Sequence, residues 1–213
     1  MEPVENVTDR TSNPFGMNPP RETPVPGYGD ANADFHVVGD HPGVHGGADT
    51  GIPFTGTERA RRLQRALAAV GLLADVSDRP EVENLYLSYL HMADADGSPD
   101  EAAYRDLEPF FDAELRAITA HVLIPVGERA IDHVLREYTA RHAKHAPIDP
   151  DALHAEELLG AGFLVLPAKD PGDWSDGDER AFVDALADVL EHDYRRETDL
   201  GRFLTGPDPY RVR

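Results

Sequence analysis

The chain of 213 residues suits one domain with a substantial core, and its 40% apolar content, arranged in ordered runs, marks a globular protein. Forty acidic residues against 20 basic leave a net charge of −20, an acidic, hydrated surface suited to molar salt, where the Debye length falls to about 3 Å. Cysteine is absent, which excludes disulfides, cysteine-ligated zinc or iron–sulfur clusters and thiol nucleophiles. No apolar run reaches the length of a membrane span, and the N-terminus is acidic without a signal-peptide core, so a soluble, cytoplasmic protein is expected. A monomer is the separate expectation for its assembly.

Residues 1–32 are rich in Pro, Gly, Asn and Asp and read as an extended arm, disordered before Asn13 and laid on the domain after it. Apolar runs alternating with amphipathic segments follow. "ADFHVVG" (33–39) predicts a buried strand and "TERARRLQRALAAVGLL" (57–73) a helix opened by Thr57. "NLYLSYLHM" (84–92) predicts the second strand, with Tyr86, Leu87 and Leu90 as core. The next helix, 98–118, is expected to have Ser98 at its cap and Pro99 at its first position, with Pro109 placed to kink or split it. "HVLIPVG" (121–127) is the third strand and leads through Gly127 into a helix. A short helix at 150–158 precedes the fourth strand, "GFLVLP" (162–167). A helix over 175–197, capped by Ser175, closes a domain of residues 33–197, and 198–213 reads as an irregular tail. Short strands alternating with helices predict an α/β fold, a three-layer α/β/α sandwich around a mostly parallel four-stranded sheet. Ligands in such sheets lie beyond the carboxyl ends of the strands, which directs attention to loops 39–56, 92–98 and 167–175.

Loop 39–56 is the most informative. Its six glycines, at 39, 43, 46, 47, 51 and 56, allow tight turns and close backbone approach to a ligand. Asp40, His41, His45 and Asp49 are its polar candidates, and Phe54 is a lone aromatic. Four readings stay open from the residues. The loop runs into a helix N-terminus and so suits a phosphate, although neither the Walker nor the GxGxxG pattern is present. Asp40, His41, His45 and Asp49 include metal-ligating types. Asp40 or His41 suits general-base work on a water. The bland alternative is a glycine-rich connector with hydrated acids.

"GYGDANADFHVVGDHPGVHGGADTGIPFTG" (27–56) resembles the first motif of the uracil-DNA glycosylase superfamily, in its thermophilic and archaeal iron–sulfur branch. There a strand ends in a G-E-x-P-G turn followed by G-x-P-F-x-G. Here the pieces are Gly39-Asp40-His41-Pro42-Gly43 and Gly51-Ile52-Pro53-Phe54-Thr55-Gly56. "HVLIPVGERAI" is similar to the family's third strand and following turn. The resemblance implies cleavage of the N-glycosidic bond of a deaminated base flipped out of DNA. It implies Asp40 and His41 as catalytic residues, with Asp40 placing the water and stabilising an electron-poor sugar. Phe54 would stack on the base, and backbone amides near Gly39, Gly43 and Gly56 would meet the base or a phosphate.

The chain departs from that pattern in three places. The branch's four cluster cysteines are missing, so no cofactor is expected. The family's base-reading asparagine falls on Tyr89, or on Ser88 if the register slips by one, and a tyrosine lacks the amide's paired donor and acceptor. The second motif, H-P-S in the family, aligns with Asp170-Pro171-Gly172 inside "LPAKDPGDW" (166–174). Asp170 then stands in the catalytic histidine's place, with Lys169 beside it as a substitute cation. Lys169, Gly172 and Trp174 are candidate DNA contacts. So are Arg59 and Arg62, from the arginine cluster of 59–65, although a solvated helical face explains that cluster equally well. For Trp174, packing against the last helix is the competing role. His133, His142, His145 and His154 read as surface histidines. Three functions compete: an active glycosylase on DNA, a non-catalytic binder of nucleic acid or nucleotide, and a metal-dependent hydrolase using His41, His45 and Asp49.

Overall fold

The computed structural model describes residues 6–94 and 97–202 and divides into two compact units, residues 1–120 and residues 121–213. The class is α/β, with six strands among the described residues rather than four.

In the first unit β1 (Tyr28–Gly29), β2 (Phe35–Gly39) and β3 (Leu85–Tyr89) lie in the order β1-β3-β2. β2 and β3 are parallel, with Val38 opposite Ser88 and Gly39 opposite Tyr89, and every residue of both is buried. A continuous apolar run buried on both faces is what a covered parallel strand requires. β1 pairs antiparallel with β3, so part of the predicted arm is sheet. After β2 comes one helical turn, α1 (Pro42–His45), and then α2 (Glu58–Ala69), with the Thr57 hydroxyl accepting from the Ala60 N–H. α2 turns Ala60, Leu63, Ala66 and Leu67 inward at helical spacing.

α3 spans Glu101–Ile118 and runs through Pro109 without being split. Its cap is Asp100, whose carboxylate accepts from the Ala103 N–H at 2.8 Å, not the predicted Ser98. Residues 95 and 96, part of predicted loop 92–98, lie outside the described residues.

In the second unit β4 (Val122–Pro125), β5 (Leu158–Gly160) and β6 (Phe163–Val165) lie in the order β4-β6-β5. β4 and β6 are parallel and β5 is antiparallel to β6. The predicted helix at 150–158 is the single turn α6 (Pro150–Leu153), and its far end is the start of β5. α4 (Glu128–Glu137) and the short α5 (His142–His145) precede it. α7 (Asp176–Glu191) opens with a capping box of Ser175 and Asp178, and α8 (Tyr194–Arg202) follows. The predicted helix over 175–197 is thus two, and α8 extends into the predicted tail, whose remainder, 203–213, lies outside the described residues.

Candidate active site

Gly39 ends β2, and the side-chain alternation of β3 decides what meets it. Ser88 lies on the His36 side, its hydroxyl 2.7 Å from His36 Nε2 in the buried core. Tyr89 lies on the loop side. Of the two residues proposed for the base-reading position, only Tyr89 therefore touches the motif loop. A Cβ on Gly39 would stand 2.6 Å from Phe54 Cζ and 2.7 Å from Tyr89 Cε1, so only glycine fits. Phe54, Tyr89 and His45 form one buried ring cluster: Phe54 and Tyr89 are 5.0 Å apart, and His45 stacks on Phe54 at 5.5 Å.

The Tyr89 hydroxyl closes the loop. It donates to the Gly46 carbonyl at 2.8 Å and accepts from the Phe54 N–H at 2.6 Å. Burial pushes the phenol far above its ordinary pKa, so it remains a donor. Phe54 has φ +57°, a sparse region for an aromatic residue, and its backbone is fixed from both sides. Gln64 of α2 donates to the Phe54 carbonyl at 2.7 Å and also exchanges hydrogen bonds with the Ser77 backbone. At Gly46, with φ +89°, a Cβ would meet the Thr55 carbonyl at 2.2 Å.

Asp40 is the first residue past β2 and is half-buried. Its N–H donates to His45 Nδ1 at 3.1 Å, and its carbonyl accepts from the His91 N–H at 3.0 Å. Its Oδ1 accepts from the Tyr104 hydroxyl on α3. His41 is buried and caps α1, with Nδ1 accepting from the Gly43 N–H at 3.2 Å. Burial lowers the His41 pKa, opposed by Asp40 and assisted by His45 and His91. His91 is lowered too, chiefly by burial. At neutral pH the imidazole beside Asp40 is therefore uncharged, suited to accept or relay a proton rather than to neutralise the carboxylate. Both His41 and His45 use Nδ1 as a backbone acceptor, and among the described residues no group of three or more His, Cys, Asp or Glu is arranged to hold a metal ion.

The second motif loop is organised within its own unit. Asp170 caps a 3-10 turn, Pro171–Asp173, with Oδ1 accepting from the Gly172 N–H at 2.7 Å. The Lys169 ammonium lies 2.7 Å from Asp151 and 3.0 Å from Asp178. Asp178 is well below the usual carboxylate range because the Ser175 hydroxyl and amide, then Lys169, bind its ionised form. Trp174 is buried against Phe182 of α7, ring centroids 5.2 Å apart, and its Nε1–H donates to the Lys169 carbonyl at 2.8 Å. His154, read from the sequence as a surface residue, is half-buried: Nδ1 accepts from the Lys169 N–H and Nε2 donates to the Asp178 carbonyl.

The arginines of α2 are tied locally. Arg59 donates to the Val44 carbonyl at 3.0 Å, Arg61 pairs with Asp78 and Arg65 with Glu58, while Arg62 is half-buried. Residue types alone did not single out Tyr104, His91, Gln64 or His154. All four lie outside both motif loops; His91, between β3 and the loop flagged at 92–98, is the one that a strand-end signal came nearest to.

A model of the uracil-DNA glycosylase superfamily matches residues 26–189. The chain is 31% identical over 173 residues to the type-5 uracil-DNA glycosylase of Pyrobaculum aerophilum, covering 78% of this chain and 74% of that protein. It is 30% identical over 128 residues to the type-5 enzyme of Thermus thermophilus, covering 57% and 58%. To the type-5 enzyme of Mycobacterium tuberculosis it is 28% identical over 191 residues, covering 86% and 68%.

Proposed function

The chain belongs to the uracil-DNA glycosylase superfamily, and from that premise we propose that it is a base-excision enzyme hydrolysing the N-glycosidic bond of a deaminated base flipped out of DNA. The observation that carries the proposal is Asp40 at the carboxyl end of β2, fixed at its backbone and side chain beside a neutral His41. Asp40 orients a water toward the sugar carbon and stabilises the positive charge that develops as the carbon–nitrogen bond lengthens. The water oxygen bonds to that carbon, the base leaves with the bonding electrons, and the water's surplus proton passes to Asp40 or His41. Phe54, set by its pinned backbone among aromatic neighbours, supplies the stacking wall for the base.

The Tyr89 hydroxyl is engaged with Gly46 and Phe54, which supports a base preference other than one read by a paired amide at this position. The protein acts as a monomer in the cytoplasm, and its −20 charge suits a salt-rich one. Among the described residues no helix is long and apolar enough to cross a membrane.

A second reading, a non-catalytic binder of nucleic acid or nucleotide, draws support from the second motif loop. There Lys169 lies between Asp151 and Asp178, and an acid, Asp170, replaces the histidine. Labelled oligonucleotides carrying uracil, hypoxanthine or xanthine, incubated at moderate and molar potassium chloride, separate the two. Alkali-labile cleavage that falls by about 10²–10⁴-fold in Asp40→Asn, with DNA affinity retained, is the expected result. No cleavage of any lesion by folded wild-type protein favours the binder.

A further inference from the structure

Tyr104 belongs to neither motif loop, yet its hydroxyl reaches the Asp40 carboxylate. Three features aim it there. Asp100 caps α3, which places Tyr104 at the helix's first turn. Farther along, Arg21 pairs with Asp106 at 3.1 Å, and buried Glu114 accepts from the Gly27 N–H at 3.2 Å and the Tyr86 hydroxyl at 2.9 Å. The helix is thus moored to the arm and to β3. Beside Tyr104 stands buried His91, ring centroids 5.6 Å apart and edge-on, with Nδ1 donating to the Ala93 carbonyl. The same His91 donates its N–H to the Asp40 carbonyl.

We propose that Tyr104 is a positioning residue for Asp40, donating a hydrogen bond to Oδ1 that orients the carboxylate toward the water and the sugar. The assignment rests on the glycosylase reading of Asp40. A phenol suits the task better than a cation does. Its hydrogen bond to an ionised oxygen is charge-assisted, yet it brings no formal charge. A lysine or arginine in its place would oppose the field that Asp40 exerts on a cationic sugar. His41 and His91, kept neutral by burial, add no positive charge at pH 7 either.

Single-turnover rates and oligonucleotide affinities of the wild type, Tyr104→Phe, Asp40→Asn and the double variant test this. One hydrogen bond to a charged group contributes enough for Tyr104→Phe to slow cleavage by about 10–100-fold. Affinity should be unchanged, and the same substitution should have no further effect in the Asp40→Asn background. A purely structural tyrosine would cost the same factor in both backgrounds. That result, or a Tyr104→Phe variant as fast as a wild type that cleaves, overturns the assignment alone. A folded wild type that cleaves no lesion overturns the glycosylase reading, and this assignment with it.

Discussion

The turn after β2 and the turn after β6 are both short polar loops following a buried strand, but different forces hold them. The first is closed by neutral groups out of water: the Tyr89 hydroxyl between Gly46 and Phe54, Gln64 on the Phe54 carbonyl, and Gly39 packed against two rings. The second is held partly by charge at the surface, with Lys169 between Asp151 and Asp178, and partly by His154 and Trp174 bonding the Lys169 backbone. A loop required to place a carboxylate and a ring accurately benefits from buried hydrogen bonds, because breaking one leaves an unsatisfied group. Exposed ion pairs tolerate motion and are screened by salt.

The contrast predicts a ranking of stability losses. Tyr89→Phe strands the Gly46 carbonyl and the Phe54 N–H together, and at about 1–3 kcal/mol per buried group it should cost roughly 2–6 kcal/mol. The midpoint of thermal unfolding should fall by several degrees, about equally at low and molar salt. A loss under about 0.5 kcal/mol would mean that the loop does not depend on the clasp.

Next in size is a pH effect in the buried core of the first unit. Burial raises the Glu114 carboxyl to about 7, partly offset by Tyr86 and Gly27, so the folded protein keeps a proton that the unfolded chain releases near 4.5. Stability from this group is therefore complete below about pH 4.5 and is lost as pH rises through about 7. The difference amounts to about 3 kcal/mol as an upper figure. Glu114→Gln should flatten the decline between pH 4.5 and 7, as read by denaturant unfolding across that window. His36, lowered to about 3 by burial, acts oppositely: its contribution is present above about pH 6.5 and is lost as pH falls toward 3.

The smallest loss is expected at Lys169→Gln. That substitution should loosen the second loop, seen as faster amide exchange at residues 169–174, by an amount that shrinks at molar salt. A salt-independent loss as large as that of Tyr89→Phe would erase the distinction between the two loops.

Much of the fold was legible in the sequence. "FHVVG", "LYLSY" and "VLIP" are short apolar runs bounded by turns, and each is a fully buried strand. β1 and β5 escaped because two or three residues carry no period, and a partner strand decides their pairing. Ser98 and Asp100 are both capping residue types, and the reach of a carboxylate to the Ala103 N–H settled which one caps α3.

For the candidate site, the residue types in 39–56 were sufficient to mark a glycine-rich turn carrying Asp40, His41 and Phe54, and its likeness to a family motif. Motifs are local, so their residues stay together in the sequence. Only the tertiary structure decided that Tyr89 rather than Ser88 faces that turn, that Tyr104 reaches Asp40 across 64 positions, and that Lys169 lies between two acids. Each of those outcomes depends on strand register, on the direction of a helix, or on carboxylates distant in the chain. A side chain's role is set by the partners it meets, and folding brings those partners from places that a linear pattern does not record.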